Sequence, residues 1–137
     1  MTPRLRKCDE GTIAGRLAKA EQFLQGAEII RKFAADEQDI ADAYVTLCVH
    51  CGVAAADVIC CIALGGHVQG EDHNEAVTQL SKVRPEGAAL GNALRTLLGM
   101  KTRAGYSHEH ISTAGCKRAQ RAAERLLQAA RERRISR

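Results

Sequence analysis

The segment from Lys101 to His110 carries the side chains with the clearest chemical potential in this chain. Its ten residues include two cations, one tyrosine and two histidines. Arg103 and His108 form an Arg-x4-His pair, in which the guanidinium can hold an anion and the imidazole can exchange a proton near neutral pH. These two residues are therefore candidates for handling a phosphate group, and His110 belongs to the same candidate binding segment.

Asp57 is the acidic residue whose position most suggests a specific partner. It falls near the edge of the apolar stripe of the second predicted helix, where its carboxylate would be partly buried. A partly buried carboxylate needs a cation nearby, and we expect Arg103 or Lys101 to supply it. This predicts a structural tie, with a part in a catalytic set as the alternative.

The six cysteines predict buried thiols rather than a disulfide framework. Cys48, Cys51, Cys60 and Cys61 fall within one apparent helix and mostly continue its apolar stripe. The sequence Cys48-Val-His-Cys51, with His50 as a third ligand, also permits metal or redox chemistry, but no second pair of suitable spacing follows. We therefore expect no metal and no cofactor.

The net charge of +4 is concentrated at the C-terminal end of the chain. Residues 117–137 hold eight Lys or Arg against two Glu, whereas residues 1–116 hold twelve Lys or Arg against fourteen Asp or Glu. Such a basic end can meet the phosphates of a nucleic acid or nucleotide, and the alternative is a solvated helix face. No apolar run of membrane-spanning length or signal peptide is evident, so we expect a cytoplasmic protein without membrane association.

Apolar residues recur at spacings of three and four along most of the chain, which predicts helices. The chain has no Trp, two Phe, two Tyr and two Pro, a composition that favours closely packed helices over a β-sandwich. The predicted helices cover about residues 12–35, 37–64, 74–83 and 85–100, with a last one from about 113. The polar loop before the short helix contains His67 and His73, which we expect to be solvated.

Single residues mark where these helices should begin and end. Asp36 is the predicted N-cap of the second helix, and Gly65 should end it. Pro85 belongs in the first turn of the fourth helix, and Ser112 or Thr113 should cap the last. Two glycines would weaken the fourth helix or let another backbone come close, Gly91 and Gly99.

We expect residues 1–137 to form a single helical domain, with a core over about residues 10–132, a short N-terminal arm and a basic C-terminal end. No strand pattern, internal repeat or low-complexity tract is evident. The predicted fold class is all-α, an up-and-down antiparallel bundle of four main helices with one extra short helix.

This order of elements, with a Lys/Arg–Ala–Tyr–His junction before an Ala-rich last helix, resembles the HEPN domain family over about residues 10–132. The sharpest local match is Leu97-Leu-Gly-Met-Lys-Thr-Arg-Ala-Gly-Tyr106, followed by Ile111-Ser112. The resemblance implies a homodimer whose two motifs face one shared cleft. It also implies an RNA or nucleotide ligand and, for toxin-type members, an antitoxin or nucleotidyltransferase partner.

Many HEPN proteins are metal-independent ribonucleases in which His follows Arg after four to six residues. The resemblance implies that His108 acts as general base or acid at a ribose 2′-hydroxyl, while Arg103 stabilises the charge of the transition state. Active members usually carry a polar residue after the Arg, where this chain has Ala104. In a second register, Lys101 and Tyr106 occupy the positions of the motif's Arg and His. In that register, which resembles the non-catalytic branch of the HEPN family, they form a structural contact that closes the bundle. Two expectations result. The first is a metal-independent endoribonuclease, and the second is a non-catalytic dimerisation or binding module that acts through a protein partner.

Overall fold

The computed structural model describes residues 5–69 and 72–136, and 80% of it is helical. The predicted all-α class is confirmed at the level of a predominantly helical chain. Residues 1–4 of the predicted N-terminal arm, residues 70 and 71 of the polar loop and residue 137 of the basic end lie outside the described ranges. In chain order the elements are β1 (Leu5–Lys7), α1 (Glu10–Phe33), a 3-10 turn (Glu37–Ile40), α2 (Ala41–Leu64), β2 (Gly66–Val68), α3 (His73–Ser81), α4 (Gly87–Gly105) and α5 (Thr113–Ser136).

Capping residues explain where the first two helices begin and end. α1 begins two residues before its predicted start because the Asp9 side chain caps it. Asp36 is confirmed as a cap, since its Oδ1 accepts a hydrogen bond from the Gln38 N–H at 2.9 Å, although the element it caps is the 3-10 turn that leads into α2. Gly65 adopts a left-handed φ of 81° and its N–H donates to the Cys61 carbonyl, which ends α2 as predicted.

α2 is the central helix of the fold, because α1, α4 and α5 all pack against it. Its large apolar side chains, such as Val45, Val58 and Ile59, are fully buried. Each buried side chain of this size contributes about 1.5–3 kcal/mol relative to an exposed one. Gly52 allows α4 to come close, since a Cβ at this position would lie 2.3 Å from Leu97 Cδ1.

Residues Glu37–Leu64 are long enough and apolar enough to cross a membrane, by length and composition alone. The expectation that no apolar run reaches that length is therefore wrong. Most residues of the most apolar 18-residue stretch of this segment are buried inside the structure. Because the core helix of a soluble protein meets the same criteria, the helix is weak evidence for a membrane span.

α3 and α4 pack closely around a tight connection. A Cβ at Gly91 would lie 2.1 Å from Ser81 Oγ, so Gly91 does permit the close approach that was predicted, whereas Gly99 has open space around it. Pro85 lies before α4 rather than in its first turn. Glu86, with a left-handed φ of 70°, separates Pro85 from the start of the helix.

α4 is longer than the sequence predicted, and it ends at Gly105 rather than near residue 100. Lys101 and Arg103 therefore lie on its last turns and not in an interhelical segment. The connection to α5 is the short stretch 106–112. The Ser112 side chain accepts a hydrogen bond from the Gly115 N–H at 3.1 Å, which confirms Ser112 as the cap of the last helix.

A small antiparallel sheet contradicts the expectation that the chain has no strands. β1 pairs with β2 in the register Leu5 to Val68, Arg6 to His67 and Lys7 to Gly66. Three-residue strands are too short to show an alternating pattern in the sequence. His67 is consequently a half-buried strand residue and not a solvated loop residue.

The cysteines divide into one disulfide and four free thiols. Cys8 and Cys61 are joined, with a Cα–Cα distance of 5.7 Å. The expectation that Cys61 is a free buried thiol is therefore wrong.

Cys48, Cys51 and Cys60 are buried free thiols, as predicted. Burial raises the pKa of each to about 12, so these thiols are not reactive nucleophiles at neutral pH. His50 is exposed and its ring contacts the Phe23 ring at a tilt of 35°, so it lies apart from the buried thiols of its own motif.

Candidate functional sites

Arg103 lies in the last turn of α4, and His108 lies on the connection that follows it; both are exposed to solvent. Arg103 Nη2 is 3.3 Å from Glu109 Oε2, and both side chains are about half exposed. His108 is exposed, and its ring forms no hydrogen bond with any residue in the described parts of the chain. The arrangement leaves the imidazole accessible, but it places a carboxylate rather than the imidazole beside the guanidinium.

Lys101 and Tyr106, the residues of the alternative register, are not bonded to each other. Lys101 Nζ lies 2.8 Å from His73 Nε2, which links the end of α4 to the start of α3. The Tyr106 side chain is 78% exposed. Both residues line a cavity of about 130 Å³ whose other walls include His50 on α2. An exposed ring at this position is available to stack on a flat ligand.

His110 fixes the connection between α4 and α5 to the start of α2. Its Nδ1 lies 2.6 Å from Asp42 Oδ2, and the Ile111 N–H donates to Asp42 Oδ1 at 2.8 Å. Gln38 completes the arrangement by donating from Nε2 to the Ile111 carbonyl at 2.7 Å. Burial raises the pKa of Asp42, but the hydrogen bonds from His110 and Ile111 outweigh it and hold the pKa below its ordinary value of 3.8. His110 therefore contributes a structural contact at the site where binding was predicted.

Asp57 is paired with a cation, as expected of a partly buried carboxylate, but the cation is neither Arg103 nor Lys101. Arg16 on α1 supplies it, with Nη2 at 3.0 Å and Nε at 3.1 Å from Asp57 Oδ2. His67 Nδ1 lies 3.6 Å from the other oxygen. Burial raises the pKa of Asp57, and the nearby His67 and Arg16 offset only part of that effect.

A cavity of about 160 Å³, lined by both apolar and ionisable side chains, opens beside this ion pair. Side chains from α1, α2, β2, α3 and α4 line it, with an apolar wall that includes Leu94 and Leu98. The ionisable lining residues are Arg16, Asp57, His67, Asp72 and His73. Sequence reasoning missed this cavity because its members come from five separate elements. The one available signal was the presence of two histidines and two acids within residues 67–73.

The cations of α5 divide into a paired and an unpaired set. Arg125, Arg131 and Arg134 contact Glu86, Glu21 and Glu10, respectively. Lys117, Arg118 and Arg121 are exposed, and no carboxylate in the described residues lies within 4.0 Å of their charged groups. Within the described residues, Arg133, near the end of α5, donates only to the backbone carbonyls of Arg84 and Pro85. Lys117, Arg118 and Arg121 thus form a cluster of exposed cations in the first half of α5, next along the chain to the connection that carries His108.

No family model, curated protein or solved structure matches this chain. The functional assignment therefore depends on the geometry and charges of the residues described above.

Proposed function

We propose that this protein is a HEPN-like helical protein that binds the phosphate backbone of RNA through one basic surface. This junction surface consists of Arg103, His108, Lys117, Arg118 and Arg121. Its α5 members lie within about 12 Å of the start of α5 along the helix axis, at 1.5 Å per residue. The observation that carries the proposal is the exposure of three α5 cations that have no carboxylate partner among the described residues.

An extended polyanion suits this surface better than a free nucleotide does. Small ligands are mostly enclosed in concave sites, whereas these cations project from an exposed helix. Phosphate contacts from Lys and Arg provide most of the sequence-independent affinity for nucleic acids. Tyr106, exposed on the adjoining connection, offers a ring on which an unpaired base can stack.

Binding without cleavage is the form of this function that the geometry supports best. A general base works when a neighbouring group orients it, and His108 has no such partner in the described chain. Arg103 is paired with Glu109, which reduces the charge that it can direct at a phosphate. A metal-independent endoribonuclease that uses Arg103 and His108 is the second candidate, because the His108 ring is accessible.

The finer architecture and the partners belong to the same proposal. An up-and-down bundle of four main helices with a short α3 agrees with the packing of α1, α4 and α5 on α2. A homodimer follows from the HEPN resemblance, and the exposed side chains of Ile29 and Phe33, one turn apart on α1, provide apolar surface for it. An antitoxin or nucleotidyltransferase partner is a further proposal that rests on the resemblance alone.

The test is a binding and cleavage assay on the same sample. Fluorescence anisotropy of a labelled single-stranded RNA, with EDTA present, reports binding, and a denaturing gel of that RNA reports cleavage. We expect saturable, salt-dependent binding and intact RNA. Absence of binding at low salt would reject the proposal. EDTA-resistant cleavage would select the ribonuclease candidate.

A further inference from the structure

Three side chains of the metal-binding type meet at the end of α2 that adjoins the small sheet. Cys8 Sγ, Cys61 Sγ and a ring nitrogen of His67 all lie within 4.8 Å of one another. Cys61 is buried, and Cys8 and His67 are half-buried. Cys8 directly follows β1, Cys61 lies in the last turn of α2 and His67 lies in β2, so only the folded chain brings the three together.

The spacing of the two sulfurs fits either of two chemical states. A Cα–Cα distance of 5.7 Å between Cys8 and Cys61 suits a disulfide, which is the state in this structure. It also suits two thiolates on one ion, because Zn–S bonds of about 2.3 Å at a tetrahedral angle place the sulfurs ~3.8 Å apart. The disulfide is then the oxidised form of a site whose reduced form offers two thiols beside an imidazole.

The surroundings of His67 prepare its ring for metal binding. Nδ1 lies 3.1 Å from the Val68 carbonyl, which can accept a hydrogen bond from a proton carried on Nδ1, and the carboxylate oxygen Asp57 Oδ1 lies 3.6 Å from the same nitrogen, within ion-pair distance. Nε2 is then the nitrogen with a free lone pair. Arg16 holds Asp57 in turn, at 3.0 Å. A carboxylate that orients a ligating histidine is a recurrent partner in zinc sites.

We propose that Cys8, Cys61 and His67 bind a zinc ion when the disulfide is reduced, and that Asp57 orients His67. Two thiolates and an imidazole favour Zn²⁺ over Mg²⁺ and Ca²⁺, which take oxygen ligands. Three protein ligands leave one tetrahedral position for water or for a molecule in the cavity of about 160 Å³ that His67 also lines. The ion ties β1 to α2 under reducing conditions, as the disulfide does under oxidising ones. This site replaces the expectation of no metal and is independent of RNA binding.

The two states interconvert by balanced chemistry. A phosphine reduces the disulfide and is itself oxidised to the phosphine oxide with an oxygen atom from water. The two protons of that water end on the two sulfurs, which become thiols. Zinc binding then displaces both thiol protons. Hydrogen peroxide reverses the sequence. It accepts two electrons from the thiolates and two protons from solvent and becomes two waters, and the ion is released as the S–S bond forms.

The test begins with the full-length chain, reduced with a phosphine that is then removed under anaerobic conditions. Titration with Co²⁺ is expected to give a thiolate-to-cobalt charge-transfer band and the visible absorption of a tetrahedral site, saturating at one ion per chain. Added Zn²⁺ should abolish these bands and raise the Tm of the reduced protein. If the reduced wild type lacks the charge-transfer band, the residues form a disulfide only and the proposal is overturned.

Variants assign the ligands. Cys8→Ser and His67→Gln should each weaken zinc affinity by at least about tenfold. Since His67→Gln keeps both cysteines, it should still form the disulfide, which separates metal binding from disulfide formation. The control is Cys116→Ser, which removes a free thiol on α5 and should bind zinc like the wild type. Equal zinc affinity in wild type, Cys8→Ser and His67→Gln, all compared reduced, would also overturn the proposal.

Discussion

Arg16 and Asp57, 41 positions apart in the chain, form an ion pair that joins α1 to α2. Both guanidinium nitrogens involved contact the same oxygen, Oδ2, while Oδ1 faces His67. The carboxylate is mostly shielded from solvent, and its raised pKa reflects the cost of keeping it ionised there. Arg16 therefore stabilises the ionised form of Asp57 between the two helices.

Removing Arg16 should destabilise the protein because it leaves Asp57 shielded and unpaired. We expect Arg16→Ala to lower the free energy of unfolding by about 1–3 kcal/mol, between the values for exposed and fully buried pairs. Urea denaturation followed by circular dichroism measures the change. Lys19→Ala, which removes an exposed cation one turn further along α1, serves as the control and should stay within ~0.5 kcal/mol of wild type. An Arg16→Ala protein as stable as that control would contradict the assignment.

The contact between Asp42 and His110 should make the free energy of unfolding depend on pH in the acid range. Because the folded-state pKa of Asp42 lies below its ordinary value of 3.8, the ionised carboxylate stabilises the fold above that pH. This stabilisation is lost as the pH falls through the lower folded-state value. Asp42→Asn should therefore cost about 1 kcal/mol at neutral pH, and the difference from wild type should shrink below pH 3.8.

Urea titrations at a series of pH values measure that difference. The matched control is Asp39→Asn, since Asp39 is an exposed acid on the neighbouring 3-10 turn. It should show no comparable loss at neutral pH. A stability difference between Asp42→Asn and wild type that stays constant from neutral to acid pH would rule out the carboxylate as its source.

The Cys8–Cys61 disulfide should stabilise the oxidised chain in the absence of metal. It closes a loop with a sequence separation of 53, for which the chain-entropy relation gives about 4 kcal/mol. With EDTA present, a reducing agent should lower the Tm of wild type. The Tm of Cys8→Ser should not respond to the reductant, whereas Cys116→Ser should respond like wild type. A wild-type Tm that ignores the reductant would show that the disulfide contributes nothing to stability.

The unpaired cations of α5 should set the salt dependence of RNA binding. Each phosphate contact to a single strand adds about 0.7 to the slope of log affinity against log salt. Replacing Lys117, Arg118 and Arg121 with Ala should therefore reduce that slope by about 2. The matched control removes three other exposed cations, Lys19, Lys82 and Arg95, and should leave the slope nearly unchanged. Equal losses in the two triple variants would mean that net charge, and not the junction surface, governs binding.

Incubation with RNA in EDTA should leave the RNA intact, because none of the described residues orients His108 and because Glu109 pairs with Arg103. His108→Ala should weaken RNA binding only modestly, because it removes one of the five side chains of the junction surface. The measurement is a denaturing gel at intervals, with anisotropy on the same variant. RNA cleavage that resists EDTA and disappears in folded His108→Ala would show that the Arg103–His108 register is catalytic.

Much of the helical framework was predictable because its determinants are local. The apolar spacing predicted α1, α2, α3 and α5 to within a few residues, and Asp36, Gly65 and Ser112 mark boundaries through their own hydrogen bonds or backbone conformation. The predicted end of α4, near residue 100, was wrong by about five residues, because the helix ends at Gly105. Lys, Thr, Arg and Ala are all tolerated in helices, so residues 101–104 contain no local stop signal.

The candidate sites were less predictable because their members are distant in the chain. Sequence reasoning identified the chemical groups of residues 101–110 and the need of Asp57 for a cation. It could not identify that cation, since several were compatible with the pattern and only packing places Arg16 within 3.0 Å. It also missed the Cys8–Cys61 pair, because Cys61 continues the apolar stripe of α2 like a buried thiol and β1 is too short to be recognised.

The amino-acid sequence alone was sufficient for the helical class, the approximate helices and the basic character of the C-terminal end, because periodicity, capping and charge act over a few neighbouring residues. Tertiary structure decided which of those charges are compensated. It pairs Arg125, Arg131 and Arg134 with acids from other elements and leaves Lys117, Arg118 and Arg121 exposed on the first half of the same helix. It likewise decided that Cys8, which directly follows β1, lies beside Cys61 at the end of α2. Contacts of this kind depend on how helices pack, and no local pattern encodes that arrangement.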